Sequence, residues 1–75
     1  MMEAIGHLVV HSDGIAEDGS WRGLWTIHMT NRDTPGDFQY VTDGNTQGVY
    51  SDRVEAQKSA HAAGMAKARE LYNAA

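Results

Sequence analysis

The sequence predicts a small α+β domain in which an antiparallel sheet of three or four strands carries one long C-terminal helix packed across one face. Residues 1–50 contain most of the β-branched residues and five of the six aromatic residues, whereas residues 51–75 contain eight of the ten alanines. Strand-type composition therefore precedes helix-type composition, with no linker between the two parts. The length of 75 residues corresponds to a single domain over residues 1–75.

The first two strands are predicted from an apolar run and an alternating segment. Residues 5–11 form a short apolar run that ends at a turn cluster, residues 12–14. Residues 21–30 show the clearest alternation in the chain, and their odd-numbered positions hold both tryptophans and two aliphatic side chains. This side is expected to face the core because it buries the larger apolar area. The polar segment between the strands, residues 13–20, contains two Asp-Gly pairs and is predicted to be a loop.

The next segments predict a third strand and leave a fourth open. A loop over residues 31–37, with Pro35 and Gly36 at its centre, precedes a strand predicted over residues 38–42. Asp43-Gly44 is a favoured hairpin-turn pair. Residues 47–50 are then either a short fourth strand or an extended lead into the helix.

The helix is predicted over residues 52–73, with Asp52 as its N-cap and Glu55 as the acidic partner of a capping box. About twenty helical residues span about 30 Å, which is enough to cross a small sheet. The face expected to be buried is mostly small, with larger side chains towards its ends. It consists of Val54, Gln57, Ala60, His61, Gly64, Met65, Ala68, Leu71 and Tyr72. Such a stripe lets the helix axis approach the sheet, where the indoles of Trp21 and Trp25 fill the space.

Composition and charge exclude several classes of protein. The chain has no cysteine, which excludes disulfides and thiolate metal sites and fits a cytoplasmic location. It has no apolar run of about 20 residues and no basic start to its N-terminus, so no membrane span and no signal peptide are expected. The net charge of −4 is uneven, with −5 over residues 1–50 and +1 over residues 51–75.

Metal binding is not expected. The candidate ligands are His7, His11, His28 and His61. On a strand, His7 and His11 lie about 13 Å apart, too far to chelate one ion, although His28 could face either of them from a neighbouring strand. No His-Glu-x-x-His or cysteine pattern supplies further ligands. We therefore expect structural or surface roles for these histidines, and no bound metal or cofactor.

The acidic loops do not indicate calcium either. Asp13, Glu17 and Asp18 lie close together, and Asp33 and Asp37 flank the Pro-Gly turn. Neither group has the alternating spacing or the distal bidentate glutamate of an EF-hand loop. Turns also use Asp and Gly for backbone reasons alone.

No catalytic residue is indicated, and the protein is not expected to be an enzyme. There is no Gly-x-Ser-x-Gly motif, no phosphate-binding glycine loop and no indicated carboxylate pair. The four serines are expected in turns or on the helix surface. They are Ser12, Ser20, Ser51 and Ser59. A chain of this size also has little room for a large pocket beside its core.

The most plausible role is that of a binding or interaction module that associates with itself. One helix covers only one face of the sheet, and the second face is predicted to carry Leu24 and, by alternation, Leu8 and Val10. A partly apolar face on so small a domain suits a homodimer interface or an unknown protein partner. The alternative is a monomer with a mostly polar second face. That face would be formed by Arg22, Thr26, His28 and Thr30.

Nucleic-acid binding is the alternative function. The helix is mildly basic, and the aromatic residues could act as stacking platforms. The candidate phosphate contacts are Arg53, Lys58, Lys67 and Arg69. A pI near 5.3 opposes binding to a polyanion, and helix salt bridges account for the lysines and arginines equally well.

The segment Gly48-Val49-Tyr50-Ser51-Asp52, followed by Glu55-Ala56 and Ala60, resembles the end of several small bacterial β-β-β-α domains of unknown function. It is also similar in topology to the double-stranded-RNA-binding fold without its first helix. That family places a lysine cluster at the start of its last helix to contact phosphates. Residues 52–58 contain one arginine, one lysine and two acids instead, so the RNA-binding activity is not implied.

A second resemblance is to antitoxins that combine a strand-rich start with one helix and neutralise a small ribonuclease. Thr34-Pro35-Gly36-Asp37 shares the turn residues of their signature but not its full pattern. An antitoxin-like regulatory domain therefore stands beside nucleic-acid binding as an alternative.

Overall fold

A computed structural model describes residues 1–30, 36–46 and 48–74. The elements are β1 (Met2–Ile5), β2 (Leu8–Glu17), β3 (Ser20–Thr30), β4 (Phe38–Asn45) and α1 (Arg53–Ala74). The strands form one antiparallel sheet in the order β1-β2-β3-β4, and α1 packs across one face, mainly on β2 and β3. The predicted α+β architecture is confirmed.

The segment predicted as one strand over residues 5–11 is a hairpin. β1 ends at Ile5, Gly6 turns the chain with a φ of 59°, and β2 begins at Leu8 and continues well beyond His11. β1 is therefore the fourth strand of the sheet. Its sequence, Met-Glu-Ala-Ile, has one β-branched residue and no alternation, so composition did not indicate it.

Only one of the three Asp-Gly pairs forms a turn. Asp18 and Gly19 join β2 to β3 with φ values of 50° and 79°, the left-handed pair that a two-residue hairpin requires. The other two pairs lie inside strands, so the predicted loop over residues 13–20 and the predicted turn at residues 43–44 are wrong. Their glycines serve packing, because Gly14 lies under the start of α1 and Gly44 lies under the indole of Trp25.

The segments between β3 and α1 are described in part. The predicted loop over residues 31–37 falls mainly on residues 31–35, outside the described residues, and Gly36 follows with a φ of 91°. Of the two alternatives for residues 47–50, a fourth strand or an extended lead into the helix, the strand is not formed by the described residues, 48–50. Tyr50 instead makes an isolated bridge to Trp21.

The core lies between α1 and the two central strands. Val10, Ile27, Met65 and Ala68 form its buried cluster. The odd-numbered side of β3 faces the helix, as predicted, because Ile27 is fully buried there and Trp25 packs against the cluster.

The placement of Leu8 and Val10 on the second face is wrong. Val10 pairs with Ile27 and Leu8 pairs with Met29, so both point towards the helix. Val10 is fully buried, and Leu8 packs against the core from its edge. The alternation predicted within each strand was correct. The sequence did not determine, however, which residues of β2 lie on the same face as which residues of β3. Of the three predicted interface residues, only Leu24 lies on the second face.

The helix begins as predicted. The carboxylate of Asp52 accepts a hydrogen bond from the backbone N–H of Glu55 at 2.8 Å. The buried stripe is narrower than expected and repeats every four residues, through Ala56, Ala60, Gly64 and Ala68, with Met65 beside it. Val54 and Tyr72 were predicted on this face but are more than half exposed, because a close helix axis leaves contact only along one narrow line.

Candidate functional site: the uncovered face of the sheet

The face of the sheet opposite α1, here called the open face, has nothing packed on it among the described residues. The strand registers determine which side chains it carries. They include Met2, Ala4, Val9, His11, Asp13, Ile15, Arg22, Leu24, Thr26, His28, Phe38, Tyr40 and Asp43. Every strand contributes, so the open face extends across the whole sheet.

Four rings form a cluster at one end of the open face, here called the ring cluster. The His28 ring is central, with its centroid 5.7 Å from His11, 6.4 Å from Phe38 and 6.2 Å from Tyr40. All three contacts are edge-to-face, which is a favoured geometry for aromatic pairs. Phe38 is 53% exposed and Tyr40 is 61% exposed, so core packing does not account for either residue.

A shallow cavity of about 290 Å³ adjoins the ring cluster and is lined by Met2, His11, His28 and Phe38. Met2 is 66% exposed beside it. The Nδ1 atom of His28 is shielded from solvent yet has no hydrogen-bond partner within the described part of the chain. Buried polar atoms nearly always have a partner, so this nitrogen is available to a water molecule or to a group of a binding partner.

The carboxylates on the open face are each engaged within the chain. Asp13 accepts a hydrogen bond from Arg53 at 2.8 Å, and Glu17 accepts one from Arg22. The Tyr40 hydroxyl donates to Asp43 at 2.8 Å.

Two of these contacts shift the pKa of a participating side chain. The Arg53 guanidinium, followed by the N–H of Gly14, lowers the pKa of Asp13, and the hydrogen bond to Asp43 raises the pKa of Tyr40. The open face therefore presents two carboxylates that are paired with arginine, Asp13 and Glu17, and a third, Asp43, that keeps its negative charge beside a neutral hydroxyl.

A second polar cluster links β1, β2 and α1. His61 Nδ1 lies 3.2 Å from Ser12 Oγ, and His61 Nε2 lies 2.7 Å from Glu3 Oε1. These are the atom types of a serine–histidine–acid relay. Ser12, however, is 5% exposed in the middle of β2, where its hydroxyl also donates to the Met1 carbonyl at 3.4 Å. The cluster ties the edge strand to the helix and does not present a nucleophile.

Sequence reasoning missed this cluster because it placed Ser12 in a turn. The three side chains are 9 and 49 residues apart along the chain, and only the register of β1 with β2 and the position of α1 bring them together. His61 was expected on the helix face that packs against the sheet, and this was the one available signal.

The four residues predicted to contact phosphates do not lie beside the exposed rings. All four lie on α1, on the opposite layer from the ring cluster. Arg53 pairs with Asp13, and Lys67 pairs with Glu70 at 3.2 Å. Lys58 and Arg69 lie on the exposed side of the helix. Of the candidate stacking residues, only Phe38 and Tyr40 are on the open face.

The histidines do not converge on a metal-binding geometry in the described residues. His7 lies in the β1–β2 turn, and His11 and His28 are diagonal neighbours on the open face. No group of three or more potential metal ligands lies together in residues 1–30, 36–46 and 48–74. In the same residues, no helix combines the length and the apolar character needed to cross a bilayer.

Comparison of the chain with protein-family models, with curated proteins and with solved structures found no match. Its function is therefore inferred from the physical features of the open face.

Proposed function

We propose that this protein is a non-catalytic interaction module that associates with a second copy of itself through the open face. The observation that supports this proposal is the ring cluster, which exposes Phe38 and Tyr40 around the His28 ring. Exposed contiguous aromatic and methionine side chains are typical of interface centres. The layer arrangement adds to this, because α1 packs on one face of the sheet and no other described element packs on the second.

The open face is large enough for a weak dimer. Four strands about 4.8 Å apart and about eight residues rising about 3.3 Å each give a patch of about 19 × 26 Å. Two such patches bury on the order of 1,000 Å² in total, which is near the lower limit for a specific interface. Interfaces of this size are typical of weak, transient association, so the dimer is sought in the micromolar range.

The charges on the open face suit an interface between identical surfaces. In a two-fold dimer, each copy presents the same patch, so unpaired like charges would repel. Here the Arg22–Glu17 pair lies at the hairpin end of β2 and β3, and the Arg53–Asp13 pair lies beside the ring cluster, two residues from His11 along β2. The aromatic rings with Met2 then form the centre of the interface, and the two ion pairs together with Asp43 form its polar rim.

Sedimentation velocity over a concentration series tests this proposal. We expect the natural chain to shift from monomer to dimer in the micromolar range. Phe38→Asp places a carboxylate in the ring cluster and is expected to abolish the shift. Val54→Asp is the matched control, because Val54 is 57% exposed on the helix and receives the same charge. A single monomeric species to about 500 µM contradicts the proposal, as does loss of the dimer in V54D alone.

Nucleic-acid binding is the second candidate, favoured by one observation. Phe38 and Tyr40 are exposed side by side on an antiparallel sheet, which is how several single-strand binders present stacking residues. The three carboxylates on the same face and the −4 net charge work against it. A gel-shift series with single-stranded RNA and DNA at low salt distinguishes the two functions. Retardation that Phe38→Ala and Tyr40→Ala abolish favours nucleic acid.

A further inference from the structure

A second exposed surface lies at β4, one of the two outer strands of the sheet. β4 pairs with β3 on one side only, so alternate backbone N–H and C=O groups point away from the sheet. Proteins commonly protect such an edge with lysine, proline or short strand length. β4 has eight residues with neither lysine nor proline, and its only irregularity is a bulge opposite Ile27 and His28.

Within the described residues, α1 leaves much of the helix side of β4 uncovered, although the Trp25 indole covers Gly44. α1 packs on β2 and β3 and makes little contact with β4. An apolar cavity of about 400 Å³ remains beside the C-terminal end of α1. It is lined by His7, Leu8, Met29, Val41, Leu71 and Tyr72. The term edge groove denotes this cavity together with the free edge of β4.

The walls of the edge groove are held in place by specific contacts. The Tyr72 ring lies directly on Gly6, where a Cβ atom would approach Tyr72 Cε2 to 2.5 Å. The turn that carries Gly6 is anchored to the end of β3, because the N–H of Thr30 donates to the His7 carbonyl at 2.8 Å. A groove with pre-positioned walls binds with a smaller loss of conformational entropy.

We propose that the edge groove binds an extended segment of a partner protein, in which basic and apolar residues alternate. The segment pairs with the free edge of β4 as an added strand. Its side chains then alternate between the two faces of the extended sheet. Those on the helix side enter the apolar cavity, and those on the other side lie beside Asp43, which is on the open face.

Charge decides the chemistry of the partner. Asp43 lies within β4 and Asp37 precedes it, whereas residues 36–46 contain no lysine or arginine. Lysine or arginine in the added strand is therefore attracted to this edge. A second copy of β4 is disfavoured as the occupant because it brings the same two carboxylates. The cavity of the edge groove has none of the ring-cluster residues in its lining, and the two surfaces adjoin at Asp43, which accepts a hydrogen bond from Tyr40.

Titration of the full chain with a labelled peptide tests this proposal. The probe is an acetylated, amidated nonapeptide of alternating Lys and Val, followed by fluorescence anisotropy and by amide chemical shifts. We expect saturable binding, with the largest shifts in β4. A matched peptide of alternating Glu and Val, and a Lys-Val peptide with N-methylated alternate amides, are each expected to bind at least about tenfold more weakly.

Two variants separate the edge groove from general attraction to an acidic chain. Val41→Lys fills the mouth of the cavity and adds one positive charge, and we expect at least about tenfold weaker binding. Val49→Lys adds the same charge at a residue that is 55% exposed and does not line the cavity. We expect it to bind nearly as the natural chain does. No binding at about 1 mM peptide, equal binding by the Glu-Val peptide, or equal weakening in V41K and V49K would overturn the proposal.

Discussion

Gly64 of α1 lies directly against Val10 of β2. A Cβ atom at Gly64 would approach Val10 Cγ1 to 2.7 Å and the Cβ atom of Trp25 to 3.1 Å. Real Cβ atoms do not approach so closely, so the missing side chain at this position sets the distance between helix and sheet. Gly23 of β3 has the same role nearer the start of the helix. A Cβ atom at Gly23 would approach the Cβ atom of Ala60 to 2.8 Å.

Gly64→Ala is therefore expected to destabilise the fold although alanine favours helix. The change gains about 1 kcal/mol of helix propensity, but overpacking a tight core costs about 1–3 kcal/mol. We expect a net loss of about 1 kcal/mol in the free energy of unfolding, measured by urea denaturation. Gly48→Ala is the control, because a Cβ atom there meets nothing within 4 Å. A G64A chain that is more stable than the natural one contradicts this packing.

The N-cap of α1 gives a second prediction. Asp52→Ala removes the acceptor for the Glu55 N–H and is expected to lower the free energy of unfolding by about 1 kcal/mol. Asp52→Asn keeps a side-chain oxygen and should lose much less, so it serves as the matched variant. Urea denaturation and far-ultraviolet circular dichroism check both. Equal losses in D52A and D52N would indicate that charge at the helix terminus, and not the hydrogen bond, provides the stability.

The features that local pattern determines could be predicted from the sequence. The alternation from Trp21 to Met29 correctly identified the core side of β3, and Asp52 correctly identified the start of the helix. Both depend on residues only a few positions apart, where side-chain period and backbone capping act directly. The stripe of small residues on the helix likewise predicted that the helix packs closely on the sheet. The short distance between Gly64 and Val10 confirms this.

The features that depend on register could not be predicted. Leu8 and Val10 were assigned to the wrong face because a shift of one residue between β2 and β3 exchanges the two faces. The ring cluster was missed for the same reason, since His11, His28 and Phe38 come together only when three strands are aligned. Asp-Gly pairs were a weak guide to turns because two of their three glycines are required by packing.

The Glu3–His61 contact predicts how β1 is held. His61→Ala removes the side chain that joins Glu3 to Ser12, so β1 loses a link to α1 across β2. We expect a loss of about 1–2 kcal/mol in the free energy of unfolding. Hydrogen exchange should accelerate at the β1–β2 amides while those of β3 change little. Lys58→Ala, on the exposed side of the same helix, is the control. Unchanged exchange in β1 with H61A would show that the link is dispensable.

The Asp13–Arg53 pair predicts a pH dependence. The lowered pKa of Asp13 means that the ionised form of this carboxyl group is more stable in the folded chain than in the unfolded chain. This contribution is therefore fully present above the ordinary aspartate pKa of 3.8 and is lost as the pH falls through the lowered value. Both side chains are more than half exposed, so solvent screening limits the pair to about 0.2–1 kcal/mol.

A double-mutant cycle with Asp13→Asn and Arg53→Met isolates that contribution from the effect of Arg53 on the helix terminus. Urea denaturation should give a coupling free energy that is constant between about pH 7 and pH 5 and shrinks only below 3.8. Sodium chloride at about 0.5 M should reduce it at pH 7, because exposed charges are screened. A coupling that has already vanished at pH 5, or one that salt does not change, would mean that packing of the arginine stem and not the ion pair connects the two residues.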